Sequence, residues 1–297
     1  MSLASWSADS LSSIFGWPRP RDKRSFRELQ LRALKALAKY AYERSPFYRE
    51  LYRGAGIRPG EISSFEGFAK LPFTLPEHIA ENPYRFLCVP YNEIFRGYSV
   101  EGEDGRLRRI FFTRAEVERI IDSASLGLRM AGLREGGAVH LALPEEAAWG
   151  LPYIMEEAVR RAGGRPILVS DMRFEAQLEA LEANRPSMLV GPAYHVYYFS
   201  EWCEERAPSR LRELGVKSVI TCRGCLFYPM TEVMKGELAR IWGCEAYDHY
   251  GVTEMGFTVA MECSAHDSLH LNEGDVYAEV VDPETGEPLG EGEAGQR

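Results

Sequence analysis

The sequence predicts an α/β fold in which a mainly parallel sheet is flanked by helices. Two observations favour this class. Short apolar runs alternate with helical segments from residue 136 to residue 247, which is the pattern of repeated strand–helix units. Sequences rich in glycine and proline separate these segments, as expected of the turns between them. Because ligands bind at the carboxyl ends of the strands in such sheets, we expect a functional site at that edge.

The first predicted element is a helix from about Phe26 to Tyr52, in which leucine and alanine recur at helical spacing. Ser45-Pro46 is expected to break this helix, because the residue before a proline disfavours the helical conformation. The side chains of the region are not chemically distinctive, so we interpret it as scaffold.

The interval from Tyr98 to Thr113 has two interpretations. It contains Glu103-Asp104-Gly105, a good turn between two strands, which favours a plain β-hairpin. The second interpretation, a loop that holds phosphate groups with its glycines, Ser99 and Arg106, is implied by the family resemblance described below. Carboxylates in the same interval would repel a phosphate unless a metal ion or the neighbouring arginines compensate their charge.

The elements that follow are predicted from helix caps, periodicity and apolar runs. Thr113 followed by Glu116 predicts a helix N-cap with a capping box, and this helix is expected to continue to about Met130. The later elements are strands at 138–143, 166–169, 187–191, 217–220 and 245–247, helices at 150–161, 174–184 and 228–242, a last strand at 275–281 and a turn at 282–288.

Three stretches follow the ends of predicted strands, namely Gly191–His195, Thr221–Cys225 and Tyr247–Glu254. The carboxyl ends of neighbouring parallel strands share one edge of a sheet, so these stretches are candidates for the functional site. His195 lies among tyrosines, and we interpret it as a histidine of a pocket wall or a helix cap rather than as a catalytic base.

Composition excludes several classes of protein. The 297 residues carry a formal charge of −9, whereas a nucleic-acid-binding protein presents a basic face. No apolar run reaches the roughly 18 residues of a membrane span, and the amino terminus lacks the pattern of a secretory signal. The 6 cysteines are too sparse for a disulfide scaffold. We therefore expect a cytoplasmic protein without a nucleic-acid partner and without membrane association.

The rest of the chain is organised around the stretch from Tyr247 to Gly256. Gly251 predicts a tight turn, and Tyr250 before it offers a flat face on which a base can stack. Thr253 and Glu254 offer a hydroxyl group for a phosphate oxygen and a carboxylate for Mg²⁺. Taken alone, the string is equally compatible with a surface turn beside an ordinary aromatic side chain.

This stretch, Tyr-Asp-His-Tyr-Gly-Val-Thr-Glu at residues 247–254, resembles the core motif of the adenylate-forming superfamily. Within that superfamily the chain looks most like the phenylacetate-CoA ligases. The resemblance is carried by Ser-Pro-Phe-Tyr at 45–48, Leu-Pro-Phe-Thr at 71–74, Glu262-Cys263 and the turn at 282–288. It extends through most of the chain and implies the large N-terminal α/β domain of such an enzyme.

The resemblance also implies roles for individual residues. Tyr250 would stack on adenine, Thr253 would contact the α-phosphate and Glu254 would ligate Mg²⁺, so Thr253 and Glu254 are the candidate catalytic residues. The further candidates for nucleotide binding are Tyr247, Asp248, Gly251, Gly224, Cys225, Ser99 and Arg106. Tyr194 and Phe227 are weaker candidates for the wall of an acid pocket.

Two features depart from the family pattern. The Ser/Thr/Gly-rich phosphate loop is replaced by the acidic interval at 101–104, and Cys225 stands where an acidic residue is usual near the adenine. The small C-terminal domain, with its lysine and hinge, is expected to be absent from the chain. The resemblance divides the chain into an N-terminal helical region at 1–95, a nucleotide-binding core at 96–274 and a truncated β subdomain at 275–297.

The function implied by the resemblance is that of an AMP-forming acid–CoA ligase. In that reaction a carboxylic acid reacts with ATP in the presence of Mg²⁺ to give an acyl-adenylate, and CoA then displaces AMP. The branch suggests an aromatic acid, and the apolar N-terminal helix suggests a homodimer. The alternative is a non-catalytic relative, a nucleotide- or acyl-binding protein or partner subunit with a degenerate phosphate loop.

A zinc site is a further interpretation. Cys222 and Cys225 form a C-x₂-C pair, and Cys263, His266 and His270 follow downstream at a spacing that resembles zinc sites. The alternative is that the cysteines are small buried residues and that the histidines make local hydrogen bonds. If zinc is bound, the chain would be interpreted as a zinc-stabilised interaction domain.

Overall fold

The structure is a computed structural model that describes residues 20–102, 104–145, 150–222, 231–252, 254–290 and 292–293. The chain divides into two compact units. The first comprises Met1–Phe95, Val100–Phe111 and Asn272–Arg297, and the second comprises Arg96–Ser99 and Phe112–Leu271. The predicted three-part division of the chain stays a prediction.

The first unit is built from helices and turns. Its helices are α1 (Lys23–Arg44), α2 (Pro46–Gly54), α3 (Phe65–Phe68) and α4 (Pro76–Glu81), with 3₁₀ turns at Pro59–Glu61, Pro83–Phe86 and Tyr91–Glu93. The break predicted at Ser45-Pro46 is confirmed. The Oγ atom of Ser45 accepts a hydrogen bond from the backbone N–H of Tyr48 at 3.3 Å and donates one to the carbonyl oxygen of Arg85 at 2.8 Å. One side chain therefore caps α2 and fixes the following chain to it.

The strand predicted at 275–281 is wrong. Val281 forms an isolated bridge with Pro288, and residues 276–280 have no regular secondary structure. The chain reverses at Asp282, whose carboxylate accepts the backbone N–H groups of Glu284 and Thr285 at 2.9 and 2.8 Å. The predicted turn is therefore confirmed. Alternating sequence alone does not make a strand, because a ladder also needs a neighbouring strand along its length.

A β-hairpin occupies the interval around the acidic turn. Strands β1 (Ile94–Glu101) and β2 (Leu107–Thr113) form a two-stranded sheet. The backbone N–H of Gly102 donates to the carbonyl oxygen of Arg106 at 3.0 Å and closes the turn, in which Gly105 has a φ of 71°. The predicted hairpin is confirmed.

The second unit contains the main sheet. Its strands are β3 (Ala138–Ala142), β4 (Arg165–Val169), β5 (Met188–Pro192), β6 (Ser218–Cys222), β7 (Glu245–Val252), β8 (Gly256–Glu262) and β9 (Leu269–Leu271). In the described part of the chain they form one seven-stranded sheet in the order β4-β3-β5-β6-β7-β8-β9. The pairs β4–β3, β3–β5, β5–β6 and β6–β7 are parallel, and the pairs β7–β8 and β8–β9 are antiparallel. The prediction of a mainly parallel sheet is confirmed.

Helices connect the parallel strands. They are α5 (Arg114–Met130), α6 (Leu151–Arg161), α7 (Phe174–Asn184), α8 (Ala193–Arg206), α9 (Arg210–Glu213) and α10 (Glu232–Trp242). The predicted capping box at the start of α5 is present. The carboxylate of Glu116 accepts the backbone N–H of Thr113 at 2.6 Å, and the Oγ1 atom of Thr113 accepts the backbone N–H of Glu116 at 3.3 Å. None of the described helices is long and apolar enough to cross a membrane.

The core holds the central strands in place. On one face of the sheet, Leu189, Val219 and Ala246 pack against α7, α8 and α10. Phe199 and Trp242 belong to the same buried cluster. On the other face, α5 approaches β8 closely, because a Cβ atom at Gly127 would lie 3.5 Å from the sulfur of Met261. Burial on both faces explains why β5 is a nearly continuous apolar run.

Candidate functional site

The three predicted strand-end stretches begin side by side at one edge of the sheet. The parallel register places Gly191, Thr221 and Asp248 in one row across β5, β6 and β7. The Nδ1 atom of His249, the next residue of β7, lies 3.0 Å from the carbonyl oxygen of Thr221. This contact links β6 to β7 beside the row. The carboxyl edge of three adjacent strands therefore brings together the sequences that the α/β pattern marked as a candidate site.

The central stretch is strand rather than turn over most of its length, which corrects the prediction for Gly251. Strand β7 extends to Val252 because β8 pairs with it in antiparallel fashion. Gly251 lies inside β7, at a register shift between Tyr250 and Val252. The left-handed glycine conformation is found instead at Gly256, with a φ of 95°. The glycine predicted to make the turn makes an irregularity in the strand.

Side chains of the central stretch differ sharply in exposure. Tyr250 is 40% exposed, whereas Tyr247 is 5% and Asp248 is 0% exposed. Glu254, in the turn after β7, is exposed. Tyr250 and Glu254 are thus accessible to a ligand from solvent. Tyr247 packs its ring 4.9 Å from that of His266, and burial raises the pKa of its hydroxyl group. Roles for Tyr247 and Asp248 in nucleotide binding stay predictions.

Several predicted residues lie outside the described part of the chain. They are Thr253, Gly224, Cys225 and Phe227, together with the side chain of Cys222. Their roles stay predictions.

The acidic hairpin neutralises part of its own charge. Asp104 accepts the backbone N–H of Arg106 at 3.1 Å and forms an ion pair with Arg108 at 3.0 Å. The backbone N–H of Arg106, with a smaller contribution from the Arg108 charge, lowers the pKa of the Asp104 carboxyl group. Ser99 and the Arg106 side chain are exposed. Their predicted contact with a nucleotide stays a prediction, since Ser99 belongs to the second unit and Arg106 to the first.

The candidate zinc ligands take up two different environments. The Nε2 atom of His270 lies 3.0 Å from the sulfur of Cys263. His266 instead contacts two carboxylates, with its Nε2 atom 2.7 Å from Glu245 and its Nδ1 atom 3.3 Å from Glu262 without hydrogen-bond geometry. Within the ranges that the structure describes, no group of three or more His, Cys, Asp or Glu side chains is arranged to hold a metal ion. Zinc binding stays a prediction.

His195 is a core residue of α8. Its ring lies 5.5 Å from that of Phe174 and stacks on Phe199. Burial, with a smaller contribution from the charge of His140, lowers the pKa of His195 to about 4. His140 is itself fully buried and lies 2.6 Å from Oε1 of Gln177 through its Nε2 atom. These contacts are those of a core residue, and the expected place of His195 in a pocket wall or helix cap stays a prediction.

Sequence reasoning missed a buried ion pair beside β7. Glu262, the last residue of β8, pairs with Lys235 of α10 across 27 positions of the sequence. The carboxylate of Glu262 also accepts the backbone N–H of Asp248 at 3.0 Å. The only signal in the sequence was a glutamate directly after the apolar run at 259–261. Nothing in that run identifies Lys235 as its partner.

Curated relatives of this chain are phenylacetate-coenzyme A ligases. That of Escherichia coli is 30% identical over 278 residues, which are 90% of this chain and 61% of the relative. That of Thermus thermophilus is 28% identical over 279 residues, or 93% of this chain and 61% of the relative. That of Pseudomonas putida is 27% identical over 281 residues, which are 92% of this chain and 61% of the relative. The chain thus spans about 61% of the length of these relatives. No protein-family model matches the chain.

Solved structures of 2-hydroxyisobutyryl-CoA ligase have the same fold. An open conformation with 2-HIB-AMP and CoA matches with a TM-score of 0.81 at 21% identity and covers 91% of this chain and 64% of that protein. The structure of the same ligase in the thioesterification state matches with a TM-score of 0.81 at 22% identity. The match covers 92% of this chain and 59% of that protein. At these identities the likeness concerns the fold. The resemblance to the phenylacetate-CoA ligase branch and the predicted fold class are both confirmed.

Proposed function

We propose that this chain, a relative of the phenylacetate-CoA ligases with the fold of the adenylate-forming enzymes, binds ATP and takes part in converting a carboxylic acid into its CoA thioester. The acid would attack the α-phosphorus of ATP, giving an acyl-adenylate and pyrophosphate, and the thiol of CoA would then displace AMP. Because the chain spans about 61% of its relatives, the complete reaction is proposed for the protein as a whole. The comparisons do not favour the non-catalytic alternative.

The observation that carries this proposal is the position of Tyr250 at the end of β7. Its ring is accessible, while the residues just before it are buried and hydrogen-bonded into the sheet. A rigid strand that presents an exposed aromatic ring at the carboxyl edge of a parallel sheet suits base stacking. We assign adenine stacking to Tyr250 and the α-phosphate contact to Thr253.

The exposed carboxylate of Glu254 fits Mg²⁺. This ion usually keeps several waters and is held by one or two carboxylates together with substrate phosphates, so a single protein carboxylate suffices. Bound there, Mg²⁺ would screen the charge of the reacting phosphates. The chain contributes the exposed Glu254, which lies in the turn between β7 and β8, four residues after Tyr250.

The finer points of the function rest on the relatives. We propose an aromatic acid as the substrate because the curated relatives are named for phenylacetate, and phenylacetate is the first acid to test. CoA is the proposed acceptor for the same reason. A cytoplasmic location, a homodimer and zinc binding stay predictions.

Calorimetry with AMP and with Mg-ATP tests the nucleotide site. Tyr250→Ala should weaken binding of both nucleotides by about fivefold or more, because stacking on an aromatic side chain is worth about 1–3 kcal/mol per base. Glu254→Ala should weaken Mg-ATP far more than AMP, since AMP can bind without the metal ion. Tyr40→Ala is the control, because Tyr40 is 43% exposed, as Tyr250 is 40%, and lies on α1 of the first unit.

Two results would overturn the proposal. Nucleotide binding that is equally strong in the native chain, Tyr250→Ala and Tyr40→Ala would place the nucleotide elsewhere. A folded native chain that binds neither AMP nor Mg-ATP at millimolar concentration would remove the basis for a ligase function.

A further inference from the structure

A buried carboxylate lies directly opposite the strand that presents Tyr250. The antiparallel register pairs His249 of β7 with Met261 of β8, which places Glu262 opposite Asp248. Glu262 is 5% exposed, and its Oε2 atom accepts the backbone N–H of Asp248 at 3.0 Å. A side-chain oxygen therefore takes the place of a main-chain acceptor at the end of the β7–β8 ladder.

The second oxygen of Glu262 is held by a different element. The Nζ atom of Lys235, on α10, forms an ion pair with Oε1, and the Lys235 side chain is 12% exposed. The start of α10 is fixed by Thr231, whose Oγ1 atom accepts the backbone N–H of Met234 at 3.2 Å. Glu262 thus joins the backbone of β7 to a capped helix and forms an ion pair with Lys235 of that helix.

The same stretch of β7 is supported by His266. Its Nδ1 atom lies 3.3 Å from Oε2 of Glu262, its Nε2 atom lies 2.7 Å from Oε2 of Glu245, and its ring packs on Tyr247. Tyr250 still pairs in register with Ala260, and the pairing with β8 shifts only between Tyr250 and Val252. The Glu262 contact is therefore a fixed point just before the irregular part of the strand.

We propose that Glu262 is a positioning residue for the nucleotide site, and the proposal rests on the function proposed above. It acts through the backbone of Asp248, two residues before Tyr250, holds the strand segment that leads into Tyr250, and so sets the direction in which Tyr250 presents its ring. A buried ion pair is weak support for stability compared with apolar side chains of similar volume. It does supply an oriented acceptor, and binding groups need such supporting contacts to hold their geometry.

The test compares two double variants that differ in one property. Lys235→Met/Glu262→Gln removes both charges and keeps an amide oxygen as acceptor for the Asp248 N–H. Lys235→Met/Glu262→Leu removes both charges and the acceptor. Since apolar replacement of a whole buried ion pair is often tolerated, both proteins are expected to fold, and thermal unfolding verifies this before binding is measured.

The readout is the Kd for AMP, measured by calorimetry far below the unfolding transition. The Gln variant should bind within about threefold of the native chain, and the Leu variant should bind about tenfold more weakly, because only the latter frees the backbone before Tyr250. Leu181→Ala is the control. Leu181 is a fully buried residue of α7, so its truncation lowers stability and should leave the Kd for AMP unchanged.

The outcomes separate this inference from the function on which it rests. If the native chain and both double variants bind AMP equally well, Glu262 has no positioning role, although the nucleotide site stands. If affinity falls in proportion to stability across the two double variants and Leu181→Ala, the role of Glu262 is purely structural. If the native chain fails to bind AMP, the proposed function fails, and the positioning role fails with it.

Discussion

The indole nitrogen of Trp242 donates a hydrogen bond of 2.8 Å to the Oγ atom of Ser200, joining α10 to α8 inside the core. Ser200 in turn donates to the carbonyl oxygen of Val196. Both helices pack on the same face of the main sheet. The candidate site lies at the carboxyl edge of this sheet. A polar link of two buried side chains therefore aligns two of the elements that support strands β5, β6 and β7.

Ser200→Ala is predicted to destabilise the protein by about 1–3 kcal/mol, because it leaves the buried N–H group of Trp242 without its acceptor. Chemical denaturation measures the loss. Ser268→Ala, at an exposed serine, is the control and should change the free energy of unfolding by less than about 0.5 kcal/mol. Equal stability of the two variants would show that the buried hydrogen bond contributes nothing.

The stability of the protein is predicted to fall in mild acid because of His195. Its pKa is about 4 in the folded protein, against 6.5 ordinarily, so the unfolded chain binds more protons between these values. The contribution of His195 to stability is therefore fully present above about pH 6.5, and up to about 3 kcal/mol is lost as the pH falls to about 4. Burial lowers the pKa of His140 too and acts in the same direction.

Denaturation curves of His195→Phe between pH 7 and pH 4.5 check this origin. The phenyl ring keeps the aromatic packing and cannot be protonated, so the loss of stability in acid should become smaller than in the native chain. Tyr198→Phe, on the same helix, removes no group that titrates in this range and should keep the native pH dependence. An unchanged slope in His195→Phe would assign the acid sensitivity to other groups.

Much of the fold could be predicted because local signals and burial agreed. The capping box at Thr113 and Glu116 fixed the start of α5, and it is present as expected. Strands β3 and β5 were recognisable because burial on both faces makes them largely apolar runs. The strand predicted at 275–281 failed because its alternation was a local signal without a neighbouring strand.

The site was less predictable than the fold. The motif at 247–254 lies at the carboxyl edge to which the α/β pattern pointed, where β7 pairs with β6 and β6 pairs with β5. It did not show that β8 returns against β7, so Gly251 was taken for a turn residue. Lys235 and Glu262 could not be paired from the sequence, because their contact exists only once α10 packs beside β8.

Gly102 is predicted to be needed for the ion pair of the acidic hairpin. A Cβ atom at this position would lie 1.3 Å from Nη1 of Arg108, so Gly102→Ala must displace the guanidinium group from Asp104. The expected cost is about 1 kcal/mol, because the displaced Arg108 side chain, which is 13% exposed, loses its ion pair with Asp104 and its hydrogen bond to the carbonyl oxygen of Pro76. The cost should vanish when Arg108 is already replaced by alanine.

Thermal unfolding of Gly102→Ala, Arg108→Ala and the double variant forms the required cycle. Gly60→Ala is the control, because no atom lies within 4 Å of the Cβ that it would add. If the effects of the two substitutions on stability are additive, the position of the Arg108 guanidinium group does not require a glycine at position 102.

Gly191→Ala is predicted to destabilise the protein by about 1–3 kcal/mol through overpacking. The added Cβ would lie 2.9 Å from Cγ2 of Val196 and 3.2 Å from the carbonyl oxygen of Ala142, so β5 and α8 must separate or shift. Gly236→Ala makes the same chemical change inside α10, where no atom lies within 4 Å. It should stabilise the protein by about 0.5–1 kcal/mol, because alanine is the better helix former. The melting temperatures of the two variants should therefore move in opposite directions. A parallel shift would show that the end of β5 accommodates a methyl group, and the close approach of strand and helix at the candidate site would then not be a constraint on its shape.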